Sequence, residues 1–173
     1  LLSVIALAAA LSGRRLLAAI GPGDLSEGER TTLGATLGLG LLAQAMFLLG
    51  VCGLFRPWAF ATLLAALARW GARETAGILE SLRAAGGALR ERPAGWTAAG
   101  ALAALPFFLA WVPPHQYDSL VYHLALPEAY LRAGRIVGVE HILYSWFPQN
   151  GEMLFALGVA FGSDLAAQLL SWL

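Results

Sequence analysis

Residues 33–54 run without a single charged side chain, and few environments accept such a stretch. A helix that crosses the hydrocarbon of a bilayer needs about 20 mainly apolar residues, with roughly 17–25 tolerated. Three further apolar runs flank this one. The first occupies residues 1–20 and is interrupted only by Arg14 and Arg15. A second, at 54–70, is shorter and carries Arg56 at its mouth, where a long side chain can snorkel to the interface. The third, at 96–112, contains Pro106, where a kink is expected. Composition agrees: 58% of the chain is hydrophobic and 13% charged, against about 45–50% and about 25% in a soluble domain. No window alternates with period two. The expectation is an all-α, polytopic integral membrane protein. Apolar runs at both termini predict that the chain is cut from something longer.

Polar segments set the topology. Residues 20–30 form a turn-rich loop. Residues 72–92 are charged but place Ile78, Leu82, Ala85 and Leu89 on one helical face, which predicts an interfacial amphipathic helix, broken near Gly86-Gly87. Arginine collects on the cytoplasmic side of membrane proteins. With the 71–95 loop inside, Arg73, Arg83, Arg90 and Arg92 are cytoplasmic, and alternation brings Arg14, Arg15 and Arg30 to the same side. Residues 1–112 are thus read as spans with cytoplasmic loops, and residues 113–162 as an outer loop. Residues 164–173 are read as the start of the next span. In that loop Asn150 is expected to cap a short surface helix, Gly162 to end it, and Asp164 to cap the span that follows. The predicted location is the plasma membrane, the inner one in a bacterium, with the loop facing periplasm or exterior.

Several function classes drop out. Formal net charge is zero and no basic run occurs, so nucleic acid is not an expected partner. The single Cys52 supports neither a disulfide framework nor a thiolate metal site. His115, His123 and His141 lack the spacing of a metal-binding pair. Gly34 and Gly38 match the small-xxx-small packing pattern, a weak signal in a chain with 20 glycines.

Chemistry concentrates in the run from Tyr117 to Ile136, just past the outer end of the 96–112 span. Asp118 suits either an N-cap for a helix over 119–126 or a general base at the lip of a membrane cavity. Tyr122 lies one turn further on the same face, whereas His123 lies on another and reads as a hydrogen-bonded interface residue. Pro127 is placed to open a second short helix and Gly134 to stop it. Arg132 and Arg135 can grip a phosphate with forked donors or reach lipid headgroups.

The Tyr117–Ile136 run, then Phe147-Pro-Gln-Asn-Gly-Glu-Met-Leu-Phe-Ala-Leu-Gly158, then Gly162-Ser-Asp-Leu-Ala-Ala-Gln168, resembles the first outer loop of the GT-C membrane glycosyltransferases. The bacterial branch grouped with protein mannosyltransferases and lipid A aminoarabinose transferases looks nearest. The resemblance covers about the last third of the chain and rests on order and spacing. It departs from the mannosyltransferases in having Asp118-Ser119 where they carry an adjacent acidic pair.

What the resemblance implies is a transferase that moves a sugar from a polyprenyl-phosphate donor to a lipid, glycan or protein hydroxyl, with inversion. Asp118 would then match the catalytic base. Tyr122, His123, Arg132, Arg135, Asn150 and Glu152 would be substrate-binding candidates, the last two toward sugar hydroxyls. Membrane lipids are the remaining partners. No cofactor is called for, and a divalent metal is compatible with the scheme. Two other classes fit the same composition: a transporter or flippase with Asp118 and Glu152 on an ion or substrate path, and a non-catalytic membrane scaffold.

Overall fold

The computed structural model describes residues 1–21, 23–112, 114 and 117–170; Pro113, His115, Gln116 and the last three residues of the expected final span lie outside them. It is all-helical, with no strand among the described residues. Among the described residues eight α-helices follow in order: α1 (Leu2–Ile20), α2 (Glu27–Val51), α3 (Pro57–Gly71), α4 (Thr75–Glu91), α5 (Pro93–Ala110), α6 (Ala125–Ala133), α7 (Asn150–Ala160) and α8 (Asp164–Leu170). Three of them, α1, α2 and α5, are long and apolar enough to cross a membrane. Helix α3 occupies the expected 54–70 span, but its 15 residues reach only about 22 Å.

Helix α2 begins earlier than the uncharged run because its start is encoded locally. Ser26 accepts from the Glu29 backbone N–H at 3.3 Å, and the Glu29 carboxylate takes the Ser26 N–H at 2.9 Å. This reciprocal box satisfies two of the helix's orphan donors. Helices α1 and α2 then pack antiparallel with their backbones in near contact. A Cβ added at Gly13 would lie 1.7 Å from the Gly34 carbonyl oxygen, and one at Gly38 would lie 1.8 Å from that of Ala9. The weak small-xxx-small match is therefore a real interface.

Polar side chains tie the Arg14 end of this pair together. Arg14, 6% exposed, donates from Nη2 to Glu27 at 2.6 Å and from Nη1 to Thr31 at 2.8 Å, and its Nε lies 3.6 Å from Glu74. Ser81 of α4 lies 2.7 Å from both the Thr31 hydroxyl and the Glu27 carbonyl oxygen. The 20–30 and 71–95 segments thus share one end of the bundle. At the opposite end, Ile5, Leu42, Met46, Phe55 and Phe60 form a core with Leu126, Tyr130, Met153 and Leu157. Helix α3 links the ends: Phe55, just before it, donates its N–H to Gly134 O at 3.0 Å, and Gly71 packs on the backbone of Leu11 and Ser12. Helix α5 stands largely bare, with Leu102 78% and Phe108 68% exposed.

Four local expectations are corrected. Helix α4 runs unbroken through Gly86-Gly87, because a helix carries isolated glycines at a cost of only about 1 kcal/mol each. Helix α6 opens two residues before Pro127, a position still inside the first turn, where the missing N–H costs no hydrogen bond. Asn150 is the first residue of α7 and caps nothing; its Oδ1 instead accepts from Gln44 Nε2 at 2.8 Å. The cap of α8 is Ser163, whose Oγ accepts from the Ala166 N–H at 2.9 Å, while Asp164 is the first helical residue. The expected stop at Gly162 is present, with φ +84°. Ser163→Ala should therefore cost about 1 kcal/mol and speed hydrogen exchange across α8. Asp164→Asn should do neither; equal effects at both positions would return the cap to Asp164.

Candidate functional site

Residues 117–123 turn into α6 through a π turn, Ser119–His123, closed by Leu124 N–H donating to Ser119 O at 3.1 Å. Such wide turns are uncommon and recur at functional sites. Here the turn presents two adjacent side chains, Tyr122 and His123, to the same neighbourhood. Their rings lie 4.1 Å apart between centroids. The sequence-based assignment of the two to different helical faces assumed regular α geometry, which the π turn removes.

His123 Nδ1 lies 2.8 Å from Glu152 Oε1. With Nδ1 donating to the carboxylate, Nε2 is left as the acceptor of the ring. Glu152 is 7% exposed and sits in the first turn of α7, where the helix dipole favours negative charge. Phe155, one turn further, meets the His123 ring edge-on at 5.5 Å. The pair is thus built into the floor formed by α7, in keeping with the reading of His123 as a hydrogen-bonded residue.

Tyr144 closes the site from above, stacked on Tyr122 at 4.1 Å and 22°. The loop carrying it is braced from within. Ser145 Oγ accepts from the Val139 N–H at 3.2 Å, and Gln149 Nε2 donates to the Ser145 carbonyl at 2.8 Å. Trp146 and Phe147 beside it are exposed and form an aromatic rim.

Asp118 flanks this cluster. Its side chain makes no capping hydrogen bond, so the cap alternative is not realised. It is exposed on the surface, whereas a place at the lip of a cavity was expected. The Tyr122 phenol is pushed above its ordinary value first by desolvation and then by the Asp118, Tyr144 and Glu152 charges, with a hydrogen bond to Asp118. The Asp118 carboxylate thus lies beside the Tyr122 phenol.

The other candidates divide. Asn150 faces Gln44 on α2. Arg132 pairs with Glu128 at 2.5 Å on the exposed side of α6, the usual i,i+4 arrangement. Arg135 is exposed. Gly134, with φ +70°, allows the guanidinium of Arg56 to lie flat against it: a Cβ there would meet Arg56 Nη2 at 2.6 Å.

Arg56, Tyr130, Tyr144 and Gln149 are site-end residues that sequence reasoning missed. Tyr130 is fully buried, and its phenol is raised mainly by desolvation, with the Glu152 charge adding to this. Nothing local announces these four, since they are brought together from separate stretches of the chain. Among the described residues no three His, Cys, Asp or Glu side chains group closely enough to hold a metal ion.

No family model matches this chain, and no solved structure matches it. A segment of 58 residues is 34% identical to a protein of Shigella flexneri described as uncharacterized. That segment covers 34% of this chain and 29% of the Shigella protein, so the similarity spans under a third of the relative's length.

Proposed function

We propose that this chain is part of a GT-C-type membrane glycosyltransferase, which moves a sugar from a polyprenyl-phosphate donor to an acceptor hydroxyl at the outer face of the membrane. One observation carries the reading. Asp118, Tyr122, His123, Tyr144 and Glu152 come together at one end of a bundle that contains three helices able to cross a bilayer. The order of elements around them also follows the resemblance: apolar helix, Asp, surface helices, Gly break, next helix.

The chemistry places Asp118 as general base. Its carboxylate takes the acceptor hydroxyl proton as the hydroxyl oxygen attacks the anomeric carbon. The bond from carbon to phosphate oxygen breaks, and the lipid phosphate leaves with the electron pair, so the anomeric centre inverts. Tyr122 holds the carboxylate in position. The Tyr144, Trp146 and Phe147 rings offer apolar faces for a sugar, and His123 Nε2 a polar contact. The exposed guanidinium groups of Arg56 and Arg135, at the same end of the bundle, suit a phosphate; Arg fits it by forked donation.

The deciding experiment supplies membranes holding the intact protein with a panel of labelled polyprenyl-phosphate sugars. The expected result is acceptor-dependent transfer of label from at least one donor, with free polyprenyl phosphate as co-product. If label crosses the bilayer with the sugar–phosphate bond intact, the protein is a transporter. If the panel is inert in every membrane acceptor tested, the transferase reading falls.

A further inference from the structure

We propose a second binding site, at the opposite end of the bundle, for the phosphate group of an anionic membrane lipid. Arg15 of α1, Arg69 and Trp70 of α3 and Arg73 of the following turn, together with Ala66, line one open pocket of about 440 Å³. That volume falls in the range of about 300–1,000 Å³ usual for small-ligand sites.

Three like charges converging on one pocket repel one another unless an anion lies among them. None of the described residues supplies one to this pocket. The carboxylates at this end are engaged elsewhere: Glu27 with Arg14 and Arg30, Glu74 with Arg14, and Glu29 with Ser26. Asp24, Glu80 and Glu91 are exposed and do not line the pocket. Among the described residues, Arg15, Arg69 and Arg73 form no ion pair and no side-chain hydrogen bond, in contrast to buried Arg14 next to them. Arg69 in the last turn of α3 gains from the helix dipole, but that does not account for Arg15 approaching from another helix.

Placement selects the occupant. Ile5 of α1 belongs to the core under the candidate active site, and Arg15 lies about 15 Å further along the same helix. With α1 and α2 in a bilayer, the pocket therefore sits near the other headgroup layer. Trp70, 47% exposed beside the arginines, is the residue type enriched at that depth. Basic pockets between helices on that side suit lipid phosphates. The inference does not depend on the transferase reading.

The test uses the whole chain in nanodiscs of phosphatidylcholine, with and without phosphatidylglycerol, and a third arm with phosphatidylcholine and inorganic phosphate. Native mass spectrometry counts retained lipid. The expected result is saturable retention of one phosphatidylglycerol, weakened about fivefold by each of Arg15→Gln, Arg69→Gln and Arg73→Gln, from the roughly 1 kcal/mol that each such charge contributes near an anionic surface. Arg83→Gln and Arg90→Gln, exposed on α4 at the same end, should change retention less than twofold. The charge-keeping Arg69→Lys should retain most of it, which separates lost charge from a damaged fold. Equal losses in the α4 variants would mean diffuse attraction and no site. Inorganic phosphate competing at millimolar concentration would assign the pocket to a soluble phosphate and overturn the lipid assignment.

Discussion

Asp118→Asn is expected to lower sugar transfer by about 10²–10⁴, the usual cost of removing a general base, while leaving the fold and donor binding close to unchanged. The substitution is nearly isosteric. Asp118 caps no helix and is exposed, so the Asn variant loses neither a cap nor a buried charge. The amide keeps the shape and place of the side chain beside Tyr122 but has no basicity. Asp118→Glu retains the charge and moves it by a methylene; it too should lose activity, because productive attack geometry tolerates little displacement.

Tyr122→Phe supplies the internal comparison. It removes the hydroxyl beside Asp118 but keeps the stack on Tyr144, so its loss should be smaller than that of the Asn variant. Turnover measured with the preferred donor and acceptor decides the matter. If Asp118→Asn keeps most of its turnover, Asp118 is not the base, and the buried Glu152 beside His123 becomes the carboxylate to replace.

Which parts of this arrangement the sequence makes visible follows from how local their causes are. The uncharged stretch at 33–54 needs no partner to declare a helix, and α2 covers most of it. Its true start was also written locally, in Ser26-Glu-Gly-Glu29, but the glycines and proline of the 20–30 segment weigh toward loop and obscure it. Ser163 and Asp164 are adjacent residues with similar cap preferences, so only the hydrogen bond to Ala166 separates them. The His123–Glu152 pair is a different case. It joins residues 29 apart in the chain and depends on a π turn, which no apolar periodicity encodes. Arg56 against Gly134 is likewise a tertiary contact; Gly134 alone reads as a helix stop, which it also is. Asp118, by contrast, is singled out only by its position after an apolar helix and by resemblance.

Gly13→Ala and Gly38→Ala should each destabilise the protein by about 3 kcal/mol, at the upper end for overpacking a tight interface. The added methyl would lie 1.7 Å from the Gly34 carbonyl oxygen in the first case and 1.8 Å from that of Ala9 in the second. Both obstacles are backbone, so no rotamer change relieves them, and α1 and α2 must move apart. Gly40→Ala is the matched control. It lies on the same helix as Gly38, its added methyl meets nothing within 4 Å, and Ala is favoured over Gly inside a helix by about 0.5–1 kcal/mol; this variant should be slightly more stable. Unfolding followed by a helical signal in detergent micelles would rank the three. The separation should also reach the distant chemistry, because Ile5 and Ala8 on α1 and Leu42 and Met46 on α2 form the bed on which Leu126, Tyr130 and Met153 rest. Opening that bed loosens α6 and α7 together, and with them the His123–Glu152 pair, so transfer should fall in Gly38→Ala at temperatures where the helices remain folded. If Gly13→Ala and Gly38→Ala melt like Gly40→Ala, the close crossing of α1 and α2 is not what holds this end of the molecule.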